Sequence, residues 1–217
     1  MTLILRYMNY ADISQVVAID KQVFSMPWTA KSYAYEIGES PYSHMVVLED
    51  SPQNPTRQPT FGSGWKGLVR KLTGNGHLNA NPAQLVSYGG MWSILDEAHI
   101  STVATDPVFQ GKGYGELMLA AMVRRAITLN AGYAVLEVRV GNVVAQNLYH
   151  KYDFKIVYTK KHYYHNNRED AYDMRLELNN ETIARFQQRY EKLKARHRFM
   201  DRYTDNTRPR LKQKRRK

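Results

Sequence analysis

Val103-Ala-Thr-Asp-Pro-Val-Phe-Gln-Gly-Lys-Gly-Tyr-Gly115 is the stretch on which the reading of this chain turns. An apolar strand pattern stops at Asp106-Pro107. Glycines follow at alternate positions, Gly111, Gly113 and Gly115, and a helical pattern begins at once, with Leu119, Met122, Val123, Ala126 and Ile127 on one face. A turn of this kind leaves free backbone N–H groups at a helix N-terminus, where they can hold a pyrophosphate. The spacing does not match a dinucleotide fingerprint, which needs G-x-G-x-x-G and an acidic residue about 20 positions later; position 135 is Val. Nor does it match an NTPase phosphate loop, because Lys112 lies between glycines with no Ser or Thr after it. Gln110-x-x-Gly113-x-Gly115 remains, between a strand and a helix: a cofactor-holding turn or a tight structural one.

Outward from this turn, His44–Leu48, Leu85–Trp92 and Ala98–Ala104 read as strands before it. Asp12-Ile-Ser-Gln15 has the form of a capping box ahead of Ile13, Val16 and Val17. Pro27-Trp28-Thr29 breaks that helix, and Thr29 can cap the next. After the glycine turn, Gly132 ends the helix and Val135–Val140 is a strand. Asn142–Tyr152 is a helix with Ala145, Leu148, Tyr149 and Tyr152 on one stripe, and Lys155–Thr159 and Ala171–Leu178 supply the last strands. Two early helices, a meander and then β-α-β-α-β-β imply a mixed-sheet α/β fold.

Two segments stand apart. Residues 50–83 carry Pro52, Pro55 and Pro59 with little apolar content and read as an inserted loop. Within it, Gly64-Trp-Lys-Gly-Leu-Val-Arg-Lys-Leu72 is a short basic amphipathic piece, predicted to pack Trp65 and Leu68 on the domain, with membrane or partner contact as the alternative. Residues 1–179 thus form one domain. Residues 180–217 form a basic extension: Glu181–Met200 carries an apolar helical seam of Ile183, Phe186, Tyr190 and Leu193, and disorder is predicted from Asp201 onward.

The net charge is +11, but residues 180–217 hold 14 Lys+Arg against 4 Asp+Glu, so the basic character belongs to the extension. There is no cysteine, which excludes disulfides, thiolate metal sites and a cysteine nucleophile. His162 and His165 lack metal-ligand spacing and read as loop residues. No apolar stretch reaches membrane-spanning length and no signal-peptide pattern opens the chain, which fits a cytoplasmic protein.

Gln110-Gly-Lys-Gly-Tyr-Gly115 resembles the Q/R-x-x-G-x-G/A motif of the GCN5-related N-acetyltransferase (GNAT) superfamily. Ser25-Met-Pro-Trp-Thr29, Asp96-Glu-Ala98, Leu136-Glu-Val-Arg139, Asn142-Val-Val-Ala-Gln-Asn-Leu-Tyr149 and Tyr163-Tyr164 with Arg168-Glu-Asp-Ala171 narrow the resemblance to the RimI-type protein N-alpha-acetyltransferases. It covers about residues 3–178 apart from the insertion. It implies a mixed, mostly antiparallel sheet whose central parallel strands splay apart, flanked by helices. It also implies acetyl-CoA in the resulting cleft. The pantetheine arm would bond the backbone of Val103, Ala104 and Thr105, and the pyrophosphate would sit on the N–H groups of Gly111, Lys112, Gly113, Tyr114, Gly115 and Glu116. Gln110, Lys112 and Asn142 would add contacts; Asn142 is also a good N-cap.

From spacing alone, Glu137 in its apolar strand faces either solvent or a cleft, and Tyr149 reads as a core tyrosine. The resemblance implies Glu137 as general base and Tyr149 as the acid that protonates the departing sulfur. It implies Pro27, Trp28, Tyr163 and Tyr164 as substrate walls on two loops. Glu97 is either a second carboxylate near the amine or a surface residue. The chain departs from the family at Tyr152-Asp-Phe154, where Leu-Gly-Phe is usual, and at Gly141, where Ser or Asn is usual. The glycine in the first normally takes a left-handed cap, which Asp tolerates less well. The expected activity is transfer of acetyl to the N-terminal α-amino group of a protein, a ribosomal protein by family analogy. The alternatives are acetylation of a small amine or a lysine side chain, or a ribosome- or RNA-binding role for the basic tail with a secondary acetyltransferase fold.

Overall fold

The structure, a computed structural model, describes residues 2–51 and 83–209. Among these residues eight strands form one sheet. They are β1 (Thr2–Tyr7), β2 (Ser43–Ser51), β3 (Gln84–Ile94), β4 (Glu97–Thr105), β5 (Tyr133–Arg139), β6 (Lys155–Tyr164), β7 (Glu169–Glu177) and β8 (Met200–Arg202). Their order is β6-β7-β5-β4-β3-β2-β1-β8. Only β4/β5 and β1/β8 run parallel; the other neighbours are antiparallel. The helices are α1 (Ile13–Val23), α2 (Ala30–Gly38), α3 (Tyr114–Thr128), α4 (Val143–Lys151) and α5 (Asn180–His197).

The helices cover both faces of the sheet. Val16 and Ile19 of α1 and Tyr33 and Ile37 of α2 pack with Met45, Val47, Leu85 and Tyr88 on one face. On the other, α3 is the central element, with Leu117–Val123 wholly buried. So continuous an apolar run needs cover on its outer side as well. That cover is α5, whose Phe186, Tyr190 and Leu193 join the same core.

A β-bulge shapes the middle of the sheet. Gly90 pairs with Thr102 and Met91 with Ile100, so Ser101 is an extra residue on β4. A bulge bends its strand and shifts the facing of the residues beyond it. Before it, Ala98 and Ile100 pack in the α3 core; after it, Val103 packs there while Ala104 turns to the α1/α2 core. A Cβ on Gly90 would lie 2.7 Å from Met45 Sδ and 3.0 Å from Ser101 Oγ, so glycine is what fits beside the bulge. Parallel pairing of β4 with β5 stops at His99↔Val135, and the strands separate from there. The splayed mixed sheet expected from the sequence is present.

Several expectations are corrected. The Asp12 capping box is displaced: Asn9 is the capping residue, with Asp12 as its reciprocal partner, ahead of a 3-10 turn at Tyr10–Asp12. The Asp12 carboxylate also accepts from Arg6 at 2.7 Å. Residues 201–209 are placed rather than disordered. β8 adds to the sheet edge, and Tyr203 is fully buried and donates to the His44 carbonyl. The Asp201 carboxylate makes this possible for a polar segment, because it accepts from the backbone N–H groups of Tyr203 and Thr204, the Thr204 hydroxyl and the Tyr190 hydroxyl. Tyr163 and Tyr164 belong to the end of β6 rather than to a loop. The insertion's residues 52–82, with Gly64–Leu72 among them, and residues 210–217 lie outside the described residues.

Candidate active site

Where β4 and β5 part, a cleft of ≈ 990 Å³ opens, lined on one side by Ser101–Thr105 and on the other by Leu136–Arg139. β4 keeps its bonds to β3 throughout. Its other edge beyond His99 therefore presents backbone donors and acceptors to the cleft. Ser101 Oγ is buried beside Gly90 without a hydrogen-bond partner among the described residues.

One end of the cleft is the glycine turn. Gly111 and Gly113 have φ of +75° and +83°, in the left-handed region that glycine adopts at little cost. Nothing lies within 4 Å of a Cβ built on Gly111. Gly113 is the N-cap of α3 and has no side chain to satisfy the first-turn amides, which also lack helical partners. Gln110 Nε2 donates to the Thr105 carbonyl at 3.3 Å and ties the turn to β4. The Glu116 carboxylate is engaged by Lys151 and Tyr152, at 2.6 and 3.0 Å, so only its backbone is available to a ligand. Asn142 caps α4 by accepting from Ala145 N–H at 3.1 Å.

Glu137 lines the cleft and does not face open solvent. It accepts from His99 Nε2 at 2.9 Å and from Lys160 Nζ at 2.5 Å. Lys160 also reaches Asp173, the residue opposite Glu137 on β7, at 3.0 Å. Burial works to raise the Glu137 carboxyl, but the hydrogen bonds and charges of His99 and Lys160 outweigh it and hold the group at about 2. The hydrogen bond to Glu137 raises His99 above its usual range against its own burial. Trp92 meets the His99 ring edge-on at 5.4 Å and stacks with Trp28 at 6.4 Å, linking this cluster to the substrate side.

Tyr149 lines the same cleft and packs on Phe154. Burial, then the neighbouring Tyr164 hydroxyl, pushes its phenol up to about 12, so it keeps its proton at neutral pH.

At the mouth, Trp28, Tyr163 and Tyr164 line the cleft. Asp20 holds the Trp28 backbone N–H at 2.5 Å and accepts from the buried Tyr88 hydroxyl, which fixes the α1–α2 loop from below. Arg139 ties the two walls together. Its guanidinium stacks on Tyr164 at 3.7 Å and donates to Glu169, to Asn166 and to the Ser25 hydroxyl across the slot. Asn166 also reaches Ser25, at 3.0 Å.

Of the residues singled out from sequence, Lys112 and Pro27 fall outside the cleft lining. Lys112 rests over the Phe109 ring, and Pro27 is exposed. The remaining candidates for cofactor, substrate and catalysis share the one cleft. Glu97 is engaged by Tyr133 rather than turned into it. Sequence reasoning passed over His99, Lys160, Ser101 and the bridging role of Arg139. The bulge had no visible signal. Arg139 was in plain view in Leu136-Glu-Val-Arg139, on the same strand face as Glu137 by alternation.

The model of the acetyltransferase (GNAT) family matches residues 15–154. A Bacillus subtilis (strain 168) protein is 31% identical over 174 residues, 80% of this chain and 95% of that one; it carries the provisional name ribosomal protein bS18-alanine N-acetyltransferase. The crystal structure of the Escherichia coli ribosomal-protein-S18-alanine N-acetyltransferase superposes with a TM-score of 0.61 at 22% identity, covering 82% of this chain and 94% of that one. The NatC complex bound to Gag peptide and CoA matches with a TM-score of 0.60 at 15% identity, covering 82% of this chain and all of that one. At such identities the two structures speak for the fold alone.

Proposed function

The chain belongs to the GNAT acetyltransferase family, and from that premise we propose that it moves acetyl from acetyl-CoA to the α-amino group of a protein N-terminus, that of a ribosomal protein by analogy with its relatives. The observation that carries this reading is one cleft holding a carboxylate, a protonated phenol and an aromatic mouth: Glu137, Tyr149, and Trp28 with Tyr163 and Tyr164. The residues fit the cofactor. The open β4 edge suits an amide-bearing arm. The bare backbone of Gly111 to Glu116 suits its diphosphate. When bound, acetyl-CoA supplies the acetyl group as an activated thioester.

An α-amino group has a pKa of about 8, so much of it arrives as ammonium. Glu137, anionic at neutral pH, attracts that ammonium and receives its proton as general base. A carboxyl held at about 2 is a weak base by itself. The hydrogen bonds from His99 and Lys160 hold it there, so His99 is a positioning residue that orients the Glu137 carboxylate and does not strengthen it as a base. Tyr149 keeps its hydroxyl proton available to the departing sulfur. Trp28, Tyr163 and Tyr164 orient an extended peptide end, and Arg139 holds their two supporting segments together.

The test is purified enzyme with acetyl-CoA and peptides whose α-amine is free or blocked. The reading expects incorporation only into the free peptide. Contact with ribosomal RNA through the basic segment after residue 180 is part of the same proposal. It expects ribosome co-sedimentation at low salt that a chain lacking the last eight residues loses; unchanged co-sedimentation would sink it. No helix among the described residues is long and apolar enough to cross a membrane, and the proposed site of action is the cytoplasm.

A further inference from the structure

The C-terminal helix α5 lies outside the segment matched by the family, yet it ends at the glycine turn. It runs antiparallel to α3: Tyr190 packs under Arg124 in the later part of α3, and His197 packs on Tyr114 at its start, with ring centroids 5.5 Å apart. The final turn of α5 thereby reaches the backbone of the turn. A Cβ on Gly113 would lie 3.2 Å from His197 Nε2 and 3.8 Å from Arg196 Nη1. His197 Nε2 is out of solvent and has no hydrogen-bond partner among the described residues. Among the described residues the carboxylate that Arg196 approaches is Glu116, at 3.8 Å, longer than a hydrogen bond.

A helix C-terminus carries partial negative charge and by itself repels an anion at the start of α3. Here that final turn carries Lys194 and Arg196, whose charges oppose that sign, while burial and then the Arg196 charge lower the proton affinity of His197, which is left as a neutral N–H donor. The groups facing His197 are Tyr114, Arg196 and Glu116. Glu116 is already neutralised by Lys151. An orphaned imidazole nitrogen and a guanidinium with unused donors thus sit against amides that themselves have no partner. We propose that Arg196 and His197 complete the cofactor site by donating to a phosphate of CoA, so that the C-terminal extension forms one wall of the phosphate pocket. The proposal rests on the acetyl-CoA reading of the glycine turn. The phosphate is either part of the diphosphate or the 3′-phosphate of the ribose; both present the same oxyanion to the same two donors.

The experiment is equilibrium binding by calorimetry, with full-length protein and no acceptor, of CoA, 3′-dephospho-CoA and pantetheine. Arg196→Ala/His197→Ala is expected to bind CoA at least tenfold more weakly than the unaltered chain and pantetheine equally well. If the loss extends to 3′-dephospho-CoA, the contacted group is the diphosphate; if it is confined to CoA, it is the 3′-phosphate. Unchanged CoA affinity in the double variant overturns the proposal and leaves the glycine-turn reading intact. An unaltered chain that prefers CoA no more than pantetheine overturns both. Arg196 is mostly exposed, so Arg196→Gln alone leaves packing untouched and still weakens CoA if the proposal holds. His197→Gln, which keeps a donor, restores part of the affinity lost in His197→Ala.

Discussion

At the residue scale the account rests on Glu137 and Tyr149, whose surroundings drive their proton affinities apart. Their separation is the familiar signature of a base and an acid in one site. Glu137→Gln and Tyr149→Phe are each expected to lower kcat by about 10²-fold, with smaller changes in CoA affinity, as steady-state kinetics beside calorimetry will show. The pH dependence of stability comes from the same contacts. Because the Glu137 carboxyl is held at about 2, its contribution is whole above the ordinary carboxylate range and lost as pH falls toward 2. His99 is shifted the other way, so its contribution is whole below about pH 6.5 and is lost as pH rises through its raised folded value. Chemical denaturation against pH should therefore show a shallower acid slope in Glu137→Gln and lose the His99 contribution to the slope above about pH 6.5 in His99→Gln. A His99→Gln enzyme whose kcat–pH profile is unmoved would remove His99 from the account.

At the element scale, the strand–turn–helix around Gly111–Gly115 was legible because its signals are local: a proline stop, glycines at positive φ and a helical apolar face. Most strands and all five described helices were legible for the same reason. β1 and β8 were not. The Leu3-Ile-Leu5 run is short, and β8 is a strand only because Tyr203 is buried beneath the sheet edge, a long-range event. The bulge at Ser101, which opens the cleft, has no sequence mark of its own. Asp153 is the reverse case, a visible departure whose reason needed the fold. It stands at φ +66° after α4, where glycine would be unstrained, and its carboxylate pairs with Arg189 at 2.7 Å and Arg185 at 3.0 Å. The aspartate thus pins α5 to the end of α4. Asp153→Ala is expected to cost about 1–2 kcal/mol in urea unfolding, from the left-handed backbone and the lost pairs. Asp153→Gly recovers the backbone part, so equal losses in the two variants would contradict this assignment.

At the scale of the whole molecule, the extension is a structural part of the domain rather than an appendage. Phe186, Tyr190, Leu193 and Tyr203 are buried in the core, and at about 2 kcal/mol each their burial is comparable with the net stability of a domain. A chain ending at Leu178 is therefore expected to lose cooperative thermal unfolding by calorimetry; an unchanged transition would return the extension to the status of a tail. The charge asymmetry foreshadowed a separate basic segment, but its apolar seam was the better guide to where it packs. The central claim is the acceptor, and it is tested most directly by mass spectrometry of a peptide that begins with alanine and carries an internal lysine, after incubation with purified enzyme and acetyl-CoA. The account predicts one acetyl group on the α-nitrogen of the alanine and none on the lysine; acetylation of the lysine, with the α-nitrogen left free, would contradict it.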